Sequence, residues 1–257
     1  MSRAADIACS AVPRRRPSPA RLAAAHIVAH RGNTEAADPA RENTLAAFDA
    51  CLALGVFGIE FDVQWTADGV PVVMHDAMLA PGGEALAGLG FEALRARTDI
   101  PSLADVVGRF GGAVHLMIEL KSETFDHDRE PALAAVLAPL EAGRDYHLLC
   151  LDPSLLGRLT RFARAARIAV AETNTREIVE QAIALEIGGV AGHYVLLNRR
   201  IRRQLAARGM RVGVGMVPNT RVLRRELALG ADFIFTDRAA PLVRALARWR
   251  AGRGGIL

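Results

Sequence analysis

From Ile27 to Arg250 the chain alternates short, β-rich apolar runs with amphipathic helical stretches, and few folds accept that rhythm. The strand candidates are Ile27–His30, Phe57–Val63, Val114–Leu120, Tyr146–Leu151, Arg167–Ala171, Gly188–Ala191, Met210–Gly215 and Asp232–Phe235. They are mostly continuous apolar runs and do not alternate, as expected of strands covered on both faces. Helix start signals separate them. Asn43-Thr44 opens Leu45–Leu54, Pro101-Ser102 opens Leu103–Phe110, and Pro131 sits in the first turn of a helix running to Leu140. Asp152-Pro153-Ser154 opens Leu155–Ala166, Thr175 opens Arg176–Glu186, Asn198 opens Arg199–Arg208, and Asn219-Thr220 opens Arg221–Leu229. Pro241–Arg250 closes the series. Eight strands each followed by a helix predict an α/β protein of the (β/α)8 TIM-barrel type. A ninth run, Val70–His75, follows Phe57–Val63 too closely for a parallel crossover, which needs about a dozen residues or more. It reads as a hairpin-like excursion, about 64–76, after the second strand. A doubly wound open sheet is the competing architecture. No Gly-x-Gly-x-x-Gly turn follows the first strand to support its dinucleotide-binding form.

A chain of 257 residues, 51% hydrophobic and 23% charged, is neither disordered nor too small to hold a core without staples. No stretch approaches the ~20 apolar residues of a bilayer span, so integral membrane contact is not expected. The 32 basic and 28 acidic residues are interspersed, with no basic stripe interleaved with aromatics to suggest nucleic acid. Cys9, Cys51 and Cys150 are odd in number and widely spaced. They suit neither a disulfide framework nor a zinc site and point to a reducing, cytoplasmic compartment. Residues 1–25 carry Arg14, Arg15 and Arg16, then Pro17 and Pro19, without the apolar core of a secretory signal. The expectation is a disordered tail over 1–25 and one catalytic domain over 26–257.

In such a barrel the chemistry sits at the C-terminal ends of the strands. Glu60 and Asp62 are two apart and share one face of an otherwise apolar strand. Buried together they repel and lose hydration unless a cation joins them. Glu119 repeats the situation on the next strand. Three converging carboxylates suit one hard divalent cation, Mg²⁺ or Ca²⁺. The bland alternative pairs each carboxylate with one of the many arginines. Lys121 shares a face with Glu119 and is the only lysine of the chain. Where arginine is used everywhere else, a lone lysine suggests a compact ammonium aimed at a phosphate oxygen, or else an ion pair with Glu119 or Glu123. His30 and His75 fall at two rim positions and can serve as acid and base on a reacting phosphorus.

Several segments, in order, resemble one known family. They are Ala29-His30-Arg31-Gly32, Glu42-Asn43-Thr44-Leu45-Ala46-Ala47-Phe48, Ile59-Glu60-Phe61-Asp62-Val63, and Asp68-Gly69-Val70-Pro71-Val72-Val73-Met74-His75-Asp76. Ile100-Pro101-Ser102-Leu103, Ile118-Glu119-Leu120-Lys121 and Gly230-Ala231-Asp232-Phe233-Ile234-Phe235-Thr236-Asp237 continue the series. Together they resemble the glycerophosphodiester phosphodiesterases, of the short bacterial cytoplasmic type. The resemblance implies a metal-dependent barrel that hydrolyses a small-molecule glycerophosphodiester to an alcohol and sn-glycerol 3-phosphate. It implies His30 and His75 as the acid/base pair and Glu60, Asp62 and Glu119 as metal ligands. Arg31 and Lys121 would hold the phosphate, with Glu42, Asn43 and Asp76 in support. The chain departs from the family pattern at Arg41, at Met78–Gly83, at Cys150-Leu151 and at Gly215-Met216-Val217-Pro218-Asn219. These departures leave the catalytic rim intact and alter the substrate-facing wall.

The nucleophile could be a metal-bound water or the substrate's own neighbouring hydroxyl, and the order of the two histidines stays open. Two rival readings remain. One is a related phosphodiesterase or lyase acting on lysophospholipid or phosphosphingolipid headgroups. The other is a barrel that binds without catalysis.

Overall fold

Eight short apolar strands pair in parallel and close on themselves. The computed structural model describes residues 17–35, 41–80 and 82–252. The strands are β1 (His26–Ala29), β2 (Gly58–Trp65), β3 (Pro71–Val73), β4 (His115–Leu120), β5 (Tyr146–Cys150), β6 (Arg167–Ala171), β7 (Gly189–His193), β8 (Arg211–Gly215) and β9 (Phe233–Thr236). Their order is β1-β9-β8-β7-β6-β5-β4-β2-β3, and a parallel β1–β2 pairing closes the ring. Only β3 lies antiparallel, with Val63 opposite Val73 and Trp65 opposite Pro71. It is the expected hairpin excursion on the rim of a TIM barrel.

The helices are α1 (Pro19–Ala23), α2 (Leu45–Leu54), α3 (Phe91–Arg95), α4 (Leu103–Phe110), α5 (Glu130–Leu137), α6 (Pro153–Arg158), α7 (Thr175–Ala184), α8 (Arg199–Ala206), α9 (Thr220–Ala228) and α10 (Ala239–Arg250). Their starts follow the side chains that satisfy first-turn amides. Thr44 accepts from the Ala47 amide ahead of α2, and Ser102 with Asp105 forms a reciprocal capping box on α4. The Ile-Pro-Ser-Leu motif is therefore a helix start, and its Pro101 carbonyl accepts the Val73 amide of β3. No helix among the described residues is long and apolar enough to cross a membrane.

The helix expected to reach Leu140 stops at Leu137, and another falls much further short. The Leu155–Ala166 stretch stops at Arg158, and only a 3-10 turn returns at Arg164–Ala166. Buried Glu130 accepts the backbone amides of Thr160 and Arg161, each at 2.6 Å. Arg167 donates to the carbonyls of Leu156 and Phe162. These tertiary bonds satisfy the backbone that a longer helix would have paired internally. At the amino end, residues 1–16 of the expected tail lie outside the described residues. Pro19–Ala23 form α1, capped by Ser18, and Arg250 of α10 donates to the carbonyls of Leu22, Ala23 and Ala25. Pro81, within one departure from the family pattern, also lies outside the described residues.

Period-two alternation decides which side chains enter the barrel. Val28, Met117, Leu149, Ile168, Ala191, Phe233 and Phe235 form one apolar cluster inside it. Alternate residues such as Ile27, Ile59, Phe61, Ile118 and Leu148 join the larger core beneath the helices. Below the interior cluster, at the strand starts, His26 and His115 stack on Phe57, and His147 meets Phe233 edge-on. His115 Nδ1 donates to the Arg144 carbonyl at 2.8 Å, so its Nε2 accepts from His147 Nδ1 at 2.7 Å. Burial pushes His115 down to about 4 and, with the neighbouring His115, pushes His147 down to about 3.

Both rings therefore stay neutral in the folded chain at pH values where the unfolded chain binds protons. The unfolded state holds the extra protons below about pH 6.5, so stability rises with pH across roughly 4 to 6.5 and is lost on acidification. The urea midpoint should fall from pH 7 to pH 5, with on the order of 1–2 kcal/mol lost per histidine. A His115→Gln/His147→Leu variant should show a flatter profile. An equally steep profile in that variant would remove these rings as the cause.

Candidate active site

β1 ends at Ala29, one residue short of the expected strand, and His30–Gly32 makes a 3-10 turn. Arg31 and Gly32 both take left-handed backbone, with φ of 50° and 80°. Glycine is required at the second position, because a Cβ there would meet Phe48 Cδ1 at 2.8 Å. Arg31 adopts the conformation with a side chain, at a cost of about 1–3 kcal/mol. In that pose its backbone N–H donates to Glu60 Oε2 at 3.0 Å. Its guanidinium reaches Glu42 Oε2 at 3.1 Å and Asp62 Oδ2 at 3.2 Å. Asn43, also left-handed at φ 57°, donates to Asp62 Oδ2 at 3.0 Å and accepts the Asp62 amide at 3.3 Å. Asparagine tolerates that backbone and supplies both a donor and an acceptor.

Glu60, Asp62 and Glu119 each place a carboxylate oxygen within 4.8 Å of the other two. Burial pushes the Glu60 carboxyl up, and the charges of Asp62 and Glu119 add to this against the opposing pull of His30. Burial would raise Asp62 as well, but Lys121 and Arg31 outweigh it and hold Asp62 low. The Lys121 ammonium lies 2.6 Å from Asp62 Oδ1 and contacts Glu119. Of the two ion-pair partners open to it, Glu119 is present, and Asp62 stands in place of Glu123. The all-oxygen donor set, its pent-up negative charge and a cation already drawn between two of its members fit one hard divalent ion.

His30 Nδ1 bonds Asp237 Oδ1 at 2.7 Å, and its Nε2 lies 3.9 Å from Glu60 Oε2. Burial alone would lower His30, but Glu60 and Asp237 overcome it and raise the ring to about 9. His75 follows β3 and bonds Asp76 Oδ1 through Nδ1 at 2.7 Å. Its carbonyl accepts from Gln64 Nε2 at 2.8 Å, and Gln64 Oε1 accepts the Thr124 hydroxyl at 2.6 Å.

One cavity of about 610 Å³ gathers His30, Arg31, Glu60, Asp62, His75, Glu119 and Lys121. Glu42 and Asn43 back Arg31 and Asp62, and Asp76 flanks His75 on the exposed side. The far side is mixed, with Leu151, Val170, Leu196 and Met216 beside Glu172, Thr173 and His193. Sequence reasoning assigned no role to three residues. Asp237 holds His30, Asn33 bridges Glu42 and Asp237, and Gln64 fixes the His75 backbone. Asp237 and Gln64 were findable, since each continues the inward phase of its strand, after Phe235 and after Asp62. Asn33 carries no comparable signal, because it lies in a loop.

Fold and rim together define a (β/α)8 barrel with a carboxylate triad and two carboxylate-held histidines in one cavity. The chain belongs to the glycerophosphoryl diester phosphodiesterase family, whose model matches residues 30–240. A glycerophosphodiester phosphodiesterase of Caldanaerobacter subterraneus is 37% identical over 112 residues, covering 37% of this chain and 45% of that protein. The chain thus spans less than half the length of the curated relatives it matches, and only 20% of a bovine one. Among solved structures, a glycerophosphodiester phosphodiesterase of Parabacteroides distasonis superposes with a TM-score of 0.72 at 20% identity, covering 89% of this chain and 98% of that one. A phosphodiesterase of Oleispira antarctica, solved in complex with the product sn-glycerol-3-phosphate, gives 0.69 at 21% identity and covers 86% and 96%. At these identities the likeness is one of fold.

Proposed function

We propose that the protein hydrolyses glycerophosphodiesters to an alcohol and sn-glycerol 3-phosphate. The observation that carries this reading is the convergence of His30, His75, Glu60, Asp62, Glu119, Arg31 and Lys121 on one cavity in a member of this family. The glycerol phosphate found with the Oleispira relative supports the product. Glu60, Asp62 and Glu119 would hold one Mg²⁺ or Ca²⁺. When bound, such a cation polarises the phosphoryl group and neutralises its charge.

The chain's own residues account for the rest. Arg31 and Lys121 face the cavity and can stabilise charge on the non-bridging phosphate oxygens. Asp237 and Asp76 take the Nδ1 side of His30 and His75, which leaves each Nε2 for proton transfer. One ring removes the proton of the attacking water or of the substrate's neighbouring hydroxyl. The phosphorus–oxygen bond to the leaving alcohol then breaks, and the other ring protonates the alkoxide. A neighbouring-hydroxyl attack forms a cyclic phosphate that water opens in a second step. Two buried free thiols, Cys51 and Cys150, accord with a cytoplasmic setting.

The apolar side chains of Leu151, Val170, Leu196 and Met216 in the lining favour a second reading, a headgroup ester carrying an alkyl chain such as a lysophospholipid or phosphosphingolipid. The test is release of glycerol 3-phosphate from a panel of glycerophosphodiesters, beside lysophospholipids. Release from the water-soluble diesters is expected. Turnover of the alkyl-bearing esters alone would transfer the assignment to the second reading. No turnover of any of them would leave a barrel that binds without catalysis.

A further inference from the structure

The net charge of the chain is only +4, yet the stretch from Arg199 to Glu226 holds nine arginines and a single carboxylate. Much of this charge gathers at one place. A cavity of about 1220 Å³ opens on the outside of the barrel between α8, α9 and the start of β8. It shares no lining residue with the active-site cavity. Arg21, Arg199, Arg202, Arg203, Arg211 and Arg225 line it. Arg211 lies 3.7 Å from Asp232, and Arg202 and Arg225 share Glu226. Arg21, Arg199 and Arg203 have no ion pair among the described residues.

An arginine-rich helix face in open water would need no explanation. Here the cations surround a concavity, and Arg202 is only 4% exposed. It donates from Nε to the Leu197 carbonyl at 2.6 Å and from Nη2 to Glu226. The Nη1 atoms of Arg202 and Arg225 are buried without a hydrogen-bond partner among the described residues. Unmet buried donors on charged groups are costly. Two carboxylates set against six guanidiniums leave a large positive excess held by the fold. Guanidinium forks match phosphate oxygens two at a time.

We propose that this cavity is a second binding site, for a soluble polyanion carrying two or more phosphate groups. Its volume exceeds what one phosphate fills. Its concave shape, with Arg202 in the wall, suits a small ligand entering between the helices better than a flat bilayer.

Calorimetric titration of the full chain with inorganic tripolyphosphate tests this, with inorganic phosphate as the single-group control. Vesicles of phosphatidylglycerol in phosphatidylcholine provide the lipid arm. An Arg21→Gln/Arg199→Gln/Arg203→Gln variant changes only exposed, unpaired side chains, and circular dichroism verifies its fold. Tripolyphosphate should bind saturably and more tightly than phosphate, and should weaken about tenfold or more in the variant and in high salt. Diester hydrolysis should be unchanged by the variant. Absence of saturable binding, equal binding in the variant, or binding to anionic vesicles without binding to tripolyphosphate would overturn the proposal.

Discussion

Replacing His30 or His75 with alanine is expected to lower turnover by about 10²–10⁴-fold while the chain still folds and still binds its divalent ion. Neither ring belongs to the carboxylate triad, and each borders the cavity, so the loss should fall on proton transfer. The two positions differ in one testable respect. His30 is partly buried and held by Asp237, whereas His75 is half exposed and held by the exposed Asp76. Asp237→Asn keeps the shape but removes the charge that orients His30. That variant should lose about 10–10²-fold and shift the pH–rate profile, whereas Asp76→Asn should do less. Steady-state rates and pH profiles of the four variants decide this. Near wild-type turnover in either alanine variant would remove that histidine from the mechanism.

Removing the divalent ion should have the other large effect. A cation that neutralises a reacting phosphoryl group contributes several kcal/mol, and each 1.36 kcal/mol is tenfold in rate, so chelation should lower turnover by about 10³-fold or more. Mg²⁺ or Ca²⁺ added back should restore it, and the same ion should raise the melting temperature, because it binds the folded state alone. A Glu60→Ala/Asp62→Ala variant should lose both activity and the ion-dependent rise in melting temperature. That change leaves Lys121 and Arg31 with fewer partners, so chelation of the unaltered protein is the cleaner measurement. Turnover indifferent to exhaustive chelation would refute a metal-assisted reaction here.

How much of this could be foreseen differs from residue to residue. Glu60 and Asp62 were legible as a pair because strand alternation is a local rule, and Glu119 was legible because the next strand repeated the pattern. Lys121 stood out by its uniqueness, and Glu119 was legible as one of its partners, but Asp62 was not. The parallel β2–β4 register puts Asp62 beside Glu119, and only that register brings the ammonium between two carboxylates 59 and 2 positions away in the chain. The local pattern of Leu155–Ala166 favours one continuous helix, yet α6 stops at Arg158. Glu130 and Arg167 overrule that preference from outside the segment.

The chain's local patterns by themselves determined the nine strands, the eight barrel helices with their starts and the inward phase of each strand, but neither α1 nor α3. They carry this because alternation, capping and burial act over a few residues. Closure of the ring was decided only in the tertiary structure, by the β1–β2 and β1–β9 pairings. That closure brings His30 to Asp237, 207 residues apart, and sets the left-handed Arg31 amide on Glu60. It also gathers distant arginines around an outer cavity. Such contacts depend on strand register and helix packing across the whole barrel, and no local stretch of sequence encodes them.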